Sequence, residues 1–150
     1  MIKNYELKFD VWGLLLFVVI MIPNFFWFGV RAPHDVLRTQ SLTETVDQVG
    51  SICQVLMIIA LCIFKNRNAQ NIHINLLIIL MFCSCLLYFF SWIVYYCGMV
   101  NEIVILGLIA FPCLAFLFFE IDRKNGIALI PTLIFTVCHF VYGFVNFIIT

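Results

Sequence analysis

Long apolar runs separated by short charge-bearing segments set the pattern of this chain. The runs cover 11–30, 49–64, 76–97, 103–119 and 127–149, and none contains Asp, Glu, Lys or Arg. A helix needs about 20 apolar residues to cross roughly 30 Å of hydrocarbon, whereas membrane-barrel strands take about 9–11 residues and alternate apolar with polar. These runs do not alternate. They predict an all-α fold, an integral membrane bundle of five transmembrane helices forming a single domain over residues 1–150. The expected spans are 11–30, 45–64, 76–97, 103–119 and 127–149, with a polar loop at 31–41.

The second span begins earlier than its apolar run because Ser41-Leu42-Thr43-Glu44 reads as a capping box. Ser41 is the expected N-cap, and Glu44 reaches back to its amide. From there Leu42, Val46, Val49, Cys53 and Leu56 recur at helical spacing. A second stripe holds Glu44, Asp47 or Gln48, Ser51 and Gln54. That acidic stripe is either a solvated face or the rim of a site.

Composition narrows the class. Of 150 residues 65% are apolar and only 11% charged, with a mean hydropathy of +1.12. A soluble domain carries roughly 25% charged residues, and so few charges cannot cover a water-facing surface. A water-soluble enzyme, a nucleic-acid module and a disordered chain are excluded, and the bilayer itself is the first expected partner. The net charge is zero, so the placement of the charges says more than their sum. Lys3, Lys8, Lys65, Arg67, Arg123 and Lys124 fall on one side of a five-span topology, and Arg31 and Arg38 on the other. Positive charge favours the cytoplasmic side, which puts the N-terminus in the cytoplasm and the C-terminus outside. The first run has the basic flank of a secretory signal but exceeds a usual signal core. Its only small-residue site, Val30-Arg31-Ala32, precedes Pro33. A retained span is expected.

Cys62, Cys83, Cys85, Cys113 and Cys138 lie inside apolar runs, where cysteine acts as a small hydrophobe. Cys83-Ser84-Cys85 is neither a plausible bridge nor a C-x-x-C redox motif. Cys97, near the outer end of the third helix, is the thiol to test for reactivity. Pro23 and Pro112 each free a backbone carbonyl, those of Val19 and Leu108. Two kinks in opposite-running helices either widen a cavity between them or are unrelated bends.

Polar positions form stripes. The third helix carries Ser84, Tyr88, Ser91 and Tyr95 on one face; the fifth carries Thr132, Thr136, His139, Tyr142 and Asn146. Lipid offers such groups no hydrogen-bond partner, so they are expected to point into the bundle. Interhelical bonds, worth only about 0.6 kcal/mol each on average, account for the Ser and Thr positions. They account less well for the larger groups, which fall in the outer halves of their spans while the inner halves look nearly devoid of amides and imidazoles. An outward-opening pocket is therefore expected, with Asn24, Gln54, Tyr95, His139, Tyr142 and Asn146 as ligand-binding residues. His34, Asp35, Glu44 and Asp47 would form its rim. The rival expectation is packing bonds plus an interfacial aromatic belt containing Trp92, Tyr95 and Tyr96.

His139 sits near the middle of the fifth span. A neutral imidazole there can donate and accept one hydrogen bond each. A structural hydrogen bond is the first expectation, ligand contact the second, and metal or proton work the third. No metal site or cofactor is expected, because no second His or carboxylate is visible at that depth. The motifs H-E-x-x-H, G-x-S-x-G and the P-loop are absent, and so are paired carboxylates inside the runs. Catalysis and ion-coupled transport are not expected.

Met21-Ile22-Pro23-Asn24 and Glu44-Thr45-Val46-Asp47-Gln48-Val49-Gly50 resemble a group of small multispanning bacterial membrane proteins with no assigned activity. Those proteins pair an I-P-N near the outer end of the first helix with an E-x-x-x-Q-x-G opening the second. The resemblance covers about the first third of the chain and implies a bacterial cytoplasmic membrane. The tryptophan-rich sensory proteins share the helix number and a first loop over a ligand pocket. Only Trp12, Trp27 and Trp92 occur here, so that likeness is architectural. The expected function is non-enzymatic binding of a small or lipid-like ligand. The alternatives are an accessory subunit packing against another membrane protein and, third, a membrane enzyme or a channel-forming homo-oligomer using His139.

Overall fold

The computed structural model of the protein describes residues 4–69 and 71–149. Its helices are α1 (Val11–Gly29), α2 (Glu44–Ile63), α3 (Leu76–Tyr96), α4 (Glu102–Asp122) and α5 (Gly126–Phe147). All five are long and apolar enough to cross a membrane. Large side chains such as Phe25, Leu86, Phe90 and Val137 are exposed, as expected where lipid rather than water is the solvent.

Two short strands, β1 (Tyr5–Leu7) and β2 (Phe64–Asn66), pair antiparallel with Glu6 opposite Lys65. Nothing in the apolar pattern foreshadows them, because three residues are too few to show an alternation. The pairing continues as the Lys8 amide donates to the Ile63 carbonyl (2.9 Å) and the Asp10 amide to that of Cys62 (2.8 Å). The start of α1 is thus tied to the end of α2. We call this the strand end of the bundle; the opposite, loop end carries residues 30–43 with a 3₁₀ turn at Val36–Arg38.

The helices stand in a ring. α3 packs along α4, α4 against α5, and α5 along α2, while α1 closes the circle with far fewer contacts. At the strand end α1 touches α2 so closely that a Cβ on Gly13 would lie 2.8 Å from the Leu61 carbonyl oxygen. At the loop end α1 leans on α3 instead. Phe26 meets Tyr96 edge-on at 5.2 Å, and the Tyr96 hydroxyl donates to the Val30 carbonyl at 2.6 Å. Because α1 changes neighbour along its length, its seam with α2 opens toward the loop end. Along the row Cys62, Ile58, Gln54, Ser51 of α2, the side chains pass from buried through half-buried to exposed.

Several expectations are corrected. The capping box does not form: α2 starts at Glu44, its N-cap Thr43 makes no side-chain cap bond, and the Ser41 hydroxyl instead accepts from the Thr43 amide (3.0 Å). Ser84 and Ser91 bond carbonyls of their own helix, those of Leu80 and Leu87, rather than a neighbour. A helix carbonyl four residues back is within reach without any partner helix. Finally, α4 runs past 119 to Asp122 and carries a buried carboxyl, Glu120, into the bundle.

Polarity is therefore not confined to one end. At the strand end Asp10 caps α1 through the amides of Trp12 and Gly13, and its other oxygen lies 3.8 Å from Arg123 Nε. The Thr132 hydroxyl stands 2.6 Å from Glu120 Oε1. Asn125 caps α5 while its amide nitrogen donates to the Phe64 carbonyl at 2.9 Å. These groups are buried and mostly bonded to one another, although Glu120 Oε2 has no hydrogen-bond partner among the described residues, and they fasten the strand end.

Candidate functional site

Toward the loop end the ring encloses a cavity of about 470 Å³, lined by all five helices. On α1 its wall runs Phe17, Ile20, Met21, Asn24, Trp27, Phe28; on α2 it runs Val46, Asp47, Gly50, Ser51, Gln54. Both rows have i, i+3/i+4 spacing, so each is one face of its helix. Pro112 and Leu108 of α4 and Ile20, Met21 and Asn24 beside Pro23 all border the space. Pro112 thus stands in the wall of the void and Pro23 next to residues of α1 that line it.

The wall has two characters. One part is apolar and aromatic, including Trp92 of α3 and Ile105 and Ile109 of α4. The other gathers Asp47, Ser51 and Gln54 of α2 with His139 and Tyr142 of α5. α2 and α5 approach closely here, since a Cβ on Gly50 would lie 3.2 Å from Cys138 Cβ.

Of the expected ligand-binding residues, Asn24, Gln54, His139 and Tyr142 border the cavity, and Asp47 of the expected rim joins them. Asn24 is partly committed: its amide donates to the Tyr88 hydroxyl (2.8 Å) and to the Ile20 carbonyl (3.1 Å). His139 departs from its first expectation. Its ring stacks between Phe135 (5.0 Å) and Tyr142 (6.3 Å), but among the described residues it makes no hydrogen bond. The side chains of Gln54, Ser51 and Tyr142 likewise have none. A polar group without a partner costs on the order of 1–3 kcal/mol when fully buried. Gln54, His139 and Tyr142 are half-buried and Ser51 exposed, so the cost is smaller here, but the four unspent groups gather around one void.

Tyr95, Asn146, His34, Asp35 and Glu44 do not line the cavity. Each has other work or another place. Asn146 accepts from the Leu42 amide (2.7 Å) and donates to the Thr43 hydroxyl (2.9 Å), which in turn donates to Asp47 (3.0 Å). It is a positioning residue that fixes the start of α2 and the Asp47 carboxylate. Tyr95, completely buried, donates to Asp35 (2.9 Å) and accepts from the Leu37 amide (3.3 Å). Asp35 also receives Trp27 Nε1 (2.9 Å) and Arg38 Nε (2.8 Å), while the Arg38 guanidinium lies 4.7 Å from the Trp27 ring centre and bonds the Trp27 carbonyl. This latch holds the loop across the bundle and sets the Trp27 ring in the cavity wall. Burial works against charge on Asp35, but the hydrogen bonds from Trp27, Tyr95 and Arg38, with the Arg38 charge, outweigh it and hold its pKa below the ordinary carboxylate value. His34 packs beside Gly98, whose φ of +83° suits glycine at the end of α3. Glu44 is exposed.

Sequence reasoning missed the aromatic half of the wall. Trp27 and Phe28 share the face of α1 that bears Asn24, and Trp92 shares that of Tyr88, so the spacing was available. What hid them is that aromatics near a helix end also suit an interfacial belt. All seven cysteines are free, and Cys97 is exposed. Among the described residues no group of His, Cys, Asp and Glu is arranged to hold a metal ion. Comparison with protein-family models, curated proteins and solved structures gives no match.

Proposed function

We propose that this protein binds a small or lipid-like ligand in the cavity at the loop end, without catalysing a reaction. The supporting observation is the set of unspent polar groups: Gln54, His139 and Tyr142 border a void of about 470 Å³ and have no hydrogen-bond partner among the described residues. That volume falls within the roughly 300–1,000 Å³ of small-molecule sites, which likewise combine apolar walls with a few polar groups. The widening seam between α1 and α2 offers an entrance from the bilayer. An accessory subunit would instead carry such groups on its outer surface, where a partner could reach them.

The loop end faces outward in this proposal, with the N-terminus in the cytoplasm of a bacterium. Lys8, Lys65, Arg67, Arg123 and Lys124 gather at the strand end and Arg31 and Arg38 at the loop end, in keeping with the positive-inside bias; Lys3, also counted in that bias, lies outside the described residues. Cys97, exposed at the loop end, tests the orientation. A membrane-impermeant maleimide should label intact cells through Cys97 and not label the Cys97→Ser variant. Labelling only after permeabilisation would reverse the orientation.

The binding proposal is tested by native mass spectrometry of the full chain released from its own membrane. A retained small molecule, lost when Ser51→Trp fills the cavity from its open side, is expected. A chain that carries no small molecule and is stable only with a co-purifying protein would move the assignment to the accessory role.

A further inference from the structure

The lining of the cavity also points to the charge of what it holds. Among the described residues Asp47 is its only formally charged side chain, and no described Lys or Arg borders it. The Arg38 guanidinium at the same end is paired with Asp35 and lies over Trp27. An anion entering this space would meet a carboxylate and aromatic rings, with only neutral donors such as the Gln54 amide, the Tyr142 hydroxyl and the unpartnered Trp92 Nε1 to set against them. A cation would meet both as partners.

Three features make the carboxylate a recognition group rather than a stray surface charge. Its Oδ1 is fixed by the Thr43 hydroxyl, which Asn146 of α5 in turn holds, whereas Oδ2 has no partner among the described residues. It is half-buried in the wall and close enough to interact electrostatically with His139 and Tyr142. Beyond it the cavity is walled by ring systems, among them Trp27, Tyr88, Trp92, Phe135 and Tyr142. A cation over an aromatic face is attracted by the ring quadrupole, more strongly where water is excluded. The Arg38–Trp27 stack shows one of these rings already accepting a cation from the loop side.

We propose that the ligand is a hydrophobic cation, an amine or quaternary ammonium on an apolar body. The positive centre sits against Asp47 and Tyr142, and the body lies along the apolar wall of α1 and α4. This assignment rests on the ligand-binding proposal above and specifies the class of ligand. The His139 ring and the Gln54 amide, on the same polar side, are left to bond a neutral polar group of the ligand.

Three probes of similar shape and different charge test it: tetraphenylphosphonium (cation), triphenylphosphine oxide (neutral) and tetraphenylborate (anion). Each is measured by equilibrium dialysis against the full chain in a non-ionic detergent, with protein-free micelles as the blank. The cation should bind saturably and more tightly than the neutral probe, and the anion should not bind above the blank. Asp47→Asn should weaken the cation by about tenfold, the scale of one partly screened charge pair, and leave the neutral probe unchanged. Glu102→Gln, which removes an exposed carboxylate at the same end outside the cavity, should change neither. Equal binding of all three probes, or an Asp47→Asn affinity equal to that of the unaltered protein, overturns the cation assignment while leaving the cavity a binding site. Binding of none of them, neutral probe included, overturns both. Where the cation binds, competition by dodecylphosphocholine below its micelle concentration assigns the charge to a lipid headgroup. Competition by dodecyltrimethylammonium alone assigns it to an organic cation that is not a lipid headgroup.

Discussion

Removing the Asp35 carboxylate should unfasten the loop that crosses the bundle. Its side chain has no solvent exposure and accepts from three donors, Trp27 Nε1, the Tyr95 hydroxyl and Arg38 Nε. In Asp35→Ala the Arg38 group, about a third exposed, can turn to water at little cost. The buried Tyr95 donor and the half-buried Trp27 donor lose their acceptor, at about 1–3 kcal/mol for a buried group left unsatisfied and less for a half-buried one. A destabilisation of about 3 kcal/mol is expected, read from thermal unfolding of the purified chain by helical circular dichroism. The effect should depend on pH with a definite sign. The native pKa of Asp35 lies below its unfolded value, so its contribution is fully present above about pH 4 and disappears as pH falls through the lowered native value. The gap in melting temperature between the unaltered protein and Asp35→Asn should therefore be constant near neutrality and shrink in strong acid. If Asp35→Ala melts at the same temperature as the unaltered protein at pH 7, or if the Asn gap widens in acid, the latch does not hold the loop.

Other substitutions probe the rest of the molecule. Gly13→Ala should cost about 1–3 kcal/mol, because its Cβ would meet the Leu61 carbonyl at 2.8 Å and a backbone atom cannot rotate away; unchanged melting would mean that α1 and α2 do not touch there. Gln54→Leu and His139→Leu should leave the ligand-free protein as stable as before or up to about 1 kcal/mol more so, while weakening any bound ligand. A marked loss of stability without ligand would show that these groups bond other parts of the protein. Thr132→Val takes away the hydroxyl 2.6 Å from Glu120 and should cost about 1–3 kcal/mol in the same melting assay. No change would mean that the Glu120 carboxyl reaches another partner.

The five spans were legible in the sequence because hydrocarbon imposes one rule on every residue of a crossing segment. Charge must stay out and backbone groups must pair internally, so length and composition reveal the helices without knowledge of their neighbours. Facing directions were legible for the same reason, and Asn24, Gln54, His139 and Tyr142 do look into the bundle. What a side chain meets there was not legible. Asn146 and Tyr95 show the same spacing and polarity as their neighbours, yet they are spent on holding the start of α2 and the loop latch. Glu120 sits just beyond an apolar run, where sequence alone reads a helix end, and only the packing of α4 on α5 buries it. Spacing along one helix fixes an angle around that helix. Whether the angle points at a void, a partner or a carbonyl depends on how helices distant in the chain lean on one another, and at this site that is decided by the passage of α1 from Leu61 of α2 to Tyr96 of α3.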